Sequence, residues 1–266
     1  MHELERRLRH LRTAGFALGE DRNIQQTLSK RYRGLKAPVV ISFFDRVGHL
    51  SKLLHSLKDN DNFELFDFFI FKDKHPSQLK NKIIYQELKG LVEVYNHYNN
   101  IYIVERSDNM GPDYNIREAM FSVAELSGSV IALEDDLELS PGFLNFMEEG
   151  LNFSKSRSDI LCVNGYLPPI NTLESNESAV RPILIRRMSA WGMGYTTNML
   201  KELRKPSPLE LNKINTHYLN DVITNFGVDS LSLIEMMAFG GLEAGDVMAW
   251  VAAIMNNKYV LAPSQS

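Results

Sequence analysis

The sequence predicts an α/β domain with a mostly parallel central sheet and helices on both faces. Three observations lead there. Short β-rich apolar runs and helix-period segments alternate four times between residues 37 and 154, the pattern of successive βαβ units. Such units build a parallel sheet buried under helices on both sides. The fourth apolar run ends on three adjacent carboxylates, and the carboxyl ends of strands are where open α/β sheets meet their ligands.

Taken in order, "APVVISFF" (37–44) is a strand and "GHLSKLLHSLK" (48–58) has helical spacing. "FDFFIFKD" (66–73) is a strand, and 76–96 is a helix opened by a proline. "NIYIVERS" (100–107) and "DYNIREAMFSVAEL" (113–126) form the third strand and helix. "GSVIALEDD" (128–136) is the fourth strand, and a helix starts at 141. Its start is explained by Ser140 at the N-cap and Pro141 at the first helical position. Beyond it, 159–166 and 181–188 read as strands and 195–256 as mostly helical, and the chain ends inside a strand-like stretch. A terminus inside a strand pattern is unusual, and further residues after Ser266 are expected on that ground.

Composition bounds the function. At 266 residues and 44% apolar, the chain suits one large domain. Its net charge of -4 does not point to nucleic acid. The single cysteine, Cys162, rules out an intrachain disulfide and favours a reducing compartment. No apolar run reaches the ~20 residues of a membrane span, and the N-terminus lacks the layout of a signal peptide. A cytoplasmic protein is expected. Residues 1–36 carry nine Lys/Arg against four Asp/Glu, with Leu4, Leu8 and Leu11 on one helical face. This basic leader fits either a helix packed on the domain or a peripheral contact with the anionic inner face of a membrane.

The carboxylates Glu134, Asp135 and Asp136 pose the chemical question. Neighbouring side chains of an extended segment point to opposite sides, and crowded carboxylates repel unless a cation or hydrogen-bond donors compensate. A hard divalent cation uses one or two carboxylates and fills its shell with phosphate and water. The acids therefore fit a metal–diphosphate site. They equally fit an acidic strand end that precedes a capped helix. No H-E-x-x-H, G-x-G-x-x-G or P-loop is present, which argues against a zinc hydrolase, a dinucleotide enzyme or an NTPase.

"VIALEDDLELSPGFLNFM" (130–147) resembles the EDD segment of the inverting N-acetylglucosaminyltransferases. These comprise the enzyme that starts complex N-glycans, the related O-mannosyl-glycan enzyme and bacterial GT-A glycosyltransferases. Collinear pieces are similar too: "PVVISFFDRVGHLSKLLHSL", "FIFKDKH", "RSDNMGPDYNIREAMFSVAEL", "RRMSAWGMGYT" and "GDVMAWVAAIMNNKYVLAPSQS". The resemblance spans roughly 38–266. It implies a Rossmann-like GT-A fold over 37–266, with a donor half at about 37–157 and an acceptor half at about 158–266. It also implies a UDP-sugar donor, Mn²⁺ (or Mg²⁺), inversion at the anomeric carbon and a role in polysaccharide biosynthesis. The acceptor would be a glycan or lipid-linked glycan.

Carried over by position, Asp136 is the metal ligand, and Glu134 and Asp135 contact the nucleotide or donor sugar. Arg46 and Asp73 lie around the uracil, and Asn115 lies near the nucleotide. Trp191 belongs to the acceptor cleft, and Asp246 is the catalytic base. Each has an ordinary alternative. Arg46 can pair with Asp45 or a helix terminus, Asp73 can sit in a solvated turn, and Asn115 can cap the following helix. Trp191 can be core, and Asp246 can be a helix N-cap. Two rival functions remain open at this point. One is a nucleotidyltransferase making sugar nucleotides, which would normally carry a Gly-rich basic loop where "FFDRVGHL" stands. The other is a non-catalytic sugar-nucleotide or glycan-binding partner in a polysaccharide assembly complex.

Overall fold

A computed structural model describes residues 22–167, 182–242 and 244–264. They form one α/β unit around an eight-stranded sheet of order β3-β2-β1-β4-β7-β5-β8-β6. The strands are β1 (Val39–Phe43), β2 (Phe68–Lys72), β3 (Ile101–Glu105), β4 (Ser129–Glu134), β5 (Ile160–Asn164), β6 (Ile183–Ile185), β7 (Met193–Thr196) and β8 (Tyr259–Ala262). The helices are α1 (Arg22–Arg31), α2 (Val47–Lys58), α3 (Gln78–Tyr95), α4 (Pro112–Ser127), α5 (Phe143–Ser154), α6 (Thr197–Leu200), α7 (Pro208–Lys213), α8 (Leu219–Phe226), α9 (Asp229–Ala238) and α10 (Gly245–Met255).

β1 to β4 pair in parallel, as the alternation of segments predicts. Helices cover both faces. On one, α2 meets α3, and α5 is tied to the turn that follows α2, where the Leu144 N–H donates to Asn60 Oδ1 (2.9 Å). On the other, α4 packs on β1 and β4, with α1 and α10 against it. Sandwiched this way, β2 is buried at all five positions, including Lys72, whose ammonium is held by the Asp73 carbonyl and Asn81.

Several expectations need correction. The fourth strand stops at Glu134, and Asp135 and Asp136 form a turn. Helix α5 starts at Phe143 with Gly142 as its N-cap, so neither Ser140 nor Pro141 opens it. Instead the Ser140 carbonyl closes a turn onto the Phe143 N–H. The region expected to be mostly helical opens with a strand, β7, which runs antiparallel between β4 and β5. The described part of the leader, by contrast, agrees with the reading of a helix packed on the domain. Ile24 and Leu28 on α1 are buried, and Arg33 donates through its backbone N–H and Nε to the buried Asp67. Leu4, Leu8, Leu11 and their arginines lie outside the described residues.

The packing of β7 has a local cause. Gly192 adopts φ +78°, and a Cβ there would stand 2.7 Å from the Phe143 ring. A Cβ on Gly194 would meet Met147 at 3.0 Å and Leu151 at 3.3 Å. Glycine is thus what lets α5 lie close to this strand. The turn at Gly192 sends the preceding side chain, Trp191, out to solvent, where it is 50% exposed.

Candidate active site

The sheet order reverses between β1, flanked by β2, and β4, reached only after two further strands. The carboxyl ends on either side of such a switch form a crevice. Here the crevice is a cleft of about 630 Å³ lined by Arg46, Asp73, Asn115, Glu134 and Asp135, among others. The volume is in the range of ligand sites. Ser42 and Glu134 are partners in the β1–β4 register, so both strands deliver residues to the same point.

Arg46 follows β1 and precedes α2. Its guanidinium donates to Asp135 and, at 2.9 Å, to Asp136 Oδ2. Its partners are therefore these two acids rather than Asp45 or a helix end. Asp135 is buried, and Asp136 is the more exposed of the two. Burial raises the Asp135 carboxyl above the ordinary range, against the opposing charge of Arg46. Glu134 is raised as well, first by burial, then by the negative charges of Asp136 and Asp135, and further by Asp246.

Asp73 is only 3% exposed, which corrects the solvated-turn reading. It accepts the N–H groups of Lys74 (2.9 Å), Met110 (2.7 Å) and Gly111 (2.9 Å), binding the loop after β2 to the start of α4. Burial outweighs these bonds and raises its carboxyl. Asn115 is spent inside the fold. Its Oδ1 accepts from Arg106 Nε (2.9 Å), and its Nδ2 donates to the Phe71 carbonyl (2.8 Å) and Ser42 Oγ (3.1 Å). It is not a helix cap, because Gly111 holds that position. Asn115 braces the strand ends that frame the cleft.

A second, larger cleft of about 1160 Å³ has Trp191, Asp246, Tyr166, Arg187 and Trp250 among its lining residues. Trp191 is thus not core; its ring meets Tyr166 edge-on at 4.5 Å between centroids. Asp246 is the second residue of α10, whose N-cap is Ala244, so the capping reading is corrected. Its Oδ1 accepts the Val247 N–H at 2.8 Å, and burial raises its carboxyl.

The fold thus gathers Arg46, Glu134, Asp135 and Asp136 at one strand end, with Asp246 near enough to act on Glu134. Tyr166 and Arg187 were missed from sequence. Tyr166 is signalled only by its place just past a strand's carboxyl end, and Arg187 by nothing local. Among the described residues no cluster of three or more His, Cys, Asp or Glu side chains forms a preassembled metal cage. Asp136 offers one partly exposed carboxylate, which fits a divalent cation that completes its shell with phosphate and water.

No protein-family model and no curated protein matches the sequence. Among solved structures, the fold is similar to residues 1–349 of S. aureus TarS in complex with UDP, with a TM-score of 0.49 and 15% identity over 87% of this chain and 58% of that one. It is also similar to the mannosyltransferase PcManGT from Pyrobaculum calidifontis in complex with GDP-Man and Mn²⁺, with a TM-score of 0.45 and 11% identity over 90% and 62% of the two chains. A third is the galactosyltransferase LgtC with donor and acceptor sugar analogues, with a TM-score of 0.40 and 12% identity over 85% and 72%. The chain spans 35% of a longer TarS chain. At these identities the likeness concerns the arrangement of strands and helices, not residues.

Proposed function

We propose that the chain is a GT-A-type glycosyltransferase that moves a sugar from a UDP-sugar to a hydroxyl of a glycan acceptor, with inversion. The observation that carries this reading is that Glu134, in one cleft, and Asp246, in the other, lie near enough for the charge of one to act on the other. One cleft lies at the sheet's switch point with the acids of β4, and the other holds a separate carboxylate and an exposed aromatic pair. A reaction between two bound substrates needs two adjoining sites with a proton acceptor between them. The UDP donor and the N-acetylglucosaminyltransferase kinship rest on the resemblance of the EDD segment.

In this reading the first cleft takes the nucleotide sugar, and Asp136 holds a divalent cation that arrives with the diphosphate. Such a cation supplies Lewis-acid stabilisation to the leaving group. Arg46 is the nearby cation able to exchange its carboxylate partners for phosphate oxygens. Asp246 takes the proton of the acceptor hydroxyl as that oxygen bonds to the anomeric carbon and the bond to UDP breaks. A carboxyl held above its ordinary pKa is a stronger base than a solvated one. Trp191 and Tyr166 offer the acceptor flat apolar surface beside that base.

Calorimetry tests the assignment. UDP binding is expected to tighten by at least tenfold when Mn²⁺ is present, and Asp136→Ala is expected to lose that gain while keeping the weak metal-free affinity. Equal UDP affinity with and without Mn²⁺ in the parent chain would remove the metal–diphosphate reading.

A further inference from the structure

Residues 186–188 run as a strap along α10, the helix that carries Asp246. Arg186 Nη1 donates to the Ala253 and Lys258 carbonyls (3.3 and 3.2 Å). The Met188 carbonyl accepts from Trp250 Nε1 at 2.9 Å. Between them lies Arg187. Its guanidinium carbon lies 5.1 Å from the Trp250 ring centroid, and Nη1 donates to the Phe226 carbonyl at 2.6 Å, the last residue of α8. Nη2 is 3.8 Å from Asp229 Oδ2, the first residue of α9. The α8–α9 corner is shaped for this contact. Gly227 has φ +90°, and a Cβ there would stand 3.2 Å from Nη1.

We infer that Arg187 is a positioning residue: it pins the α8–α9 corner to Trp250 on α10 and holds its positive charge in the cleft that Asp246 lines. The stacked, forked geometry belongs to arginine. A lysine keeps the charge but neither stacks in the same way nor presents a planar fork. The charge matters because other groups around Asp246 bear on it too. Glu134 on β4 interacts with it, as does the buried Tyr195 on β7. Asp113, ion-paired with Arg117 on α4, lies beside Gly245, and Asp221 and Asp229 line the same cleft. Burial raises the Asp246 carboxyl, and it is drawn back down by the backbone N–H groups of Val247 and Asp246 and then by the charge of Arg187.

This inference rests on Asp246 being the base, but its test does not require activity. In the full chain, the carboxyl carbon of Asp246, identified by its loss in Asp246→Asn, is followed by NMR against pH. Arg187→Gln is expected to raise the Asp246 midpoint, and Arg187→Lys to leave it near the parent value. The chain has two tryptophans. With Trp191→Phe as background, emission therefore reports Trp250 alone, and both Arg187 variants are expected to shift it to longer wavelength. An unmoved midpoint in Arg187→Gln overturns the charge role. Unchanged Trp250 emission in Arg187→Lys overturns the pin, even if the glutamine variant does not fold. Normal turnover in Asp246→Asn alongside a moved midpoint would instead discard the base and leave Arg187's coupling intact.

Discussion

Glu134 is the residue where stability and binding oppose each other. It is half-buried among Asp135, Asp136 and Asp246, and its carboxyl is held above the usual range. A carboxyl raised in the folded state contributes stability when protonated, below its unfolded pKa of about 4.3, and loses it as pH rises through the folded value. At neutral pH the ionised group therefore works against the fold. Glu134→Gln is expected to raise the melting temperature by about 1–3 °C at pH 7, with the gain shrinking toward pH 4, while donor affinity falls. Melts at both pH values check this, and a lower melting temperature at pH 7 would contradict it. Asp246 makes the complementary case. Asp246→Asn keeps the shape and the Val247 contact, so donor binding should persist while turnover drops by about 10²–10⁴. Steady-state rates against calorimetric affinity separate the two effects.

At the scale of elements, what could be read from sequence depended on whether the signal was local. β1 to β4 and their helices carry their own periodicity, so they were legible, as were the acids at the end of β4. β7 was not. It has four residues, one of them Gly194, and its pairing with β4 and β5 is antiparallel within a parallel pattern. Its identity lies in close contact with α5, which no local pattern reports. Asp246 was found only through family resemblance, because a lone acid early in a helix is otherwise ordinary. Arg187 was invisible, since its partners come from α8, α9 and α10. The same logic locates a fragile point. Gly192→Ala forces a side chain into φ +78° and against the Phe143 ring, at a cost of about 2–4 kcal/mol. Urea unfolding measures it, and a change below about 0.5 kcal/mol would mean that Phe143 moves aside freely.

For the whole molecule, the described part of the basic N-terminal segment is structural. Leu28 is fully buried, and Arg33 partners the buried Asp67 across 34 residues of chain. Leu28→Ala is expected to cost about 2–5 kcal/mol, as deletion of a core leucine does. Arg33→Ala should cost about 1–3 kcal/mol, less than for a fully enclosed pair because Arg33 is partly exposed to solvent screening. Denaturant midpoints test both, and values within 0.5 kcal/mol of the parent would place α1 outside the cooperative core. A truncated chain meant to keep the α/β unit intact is expected to need residues 22–36.

The β4–β7 ladder joins the half that would hold the donor to the half that would hold the acceptor. Four residue pairs, from Ser129–Thr196 to Ala132–Met193, stitch them into one sheet. Hinged enzymes swing two lobes apart to admit substrate, but here such a swing would tear main-chain hydrogen bonds in the middle of the molecule. In the proposed reaction, entry and exit would therefore be left to the loops at the rim. The molecule behaves as an anvil, not a clamp.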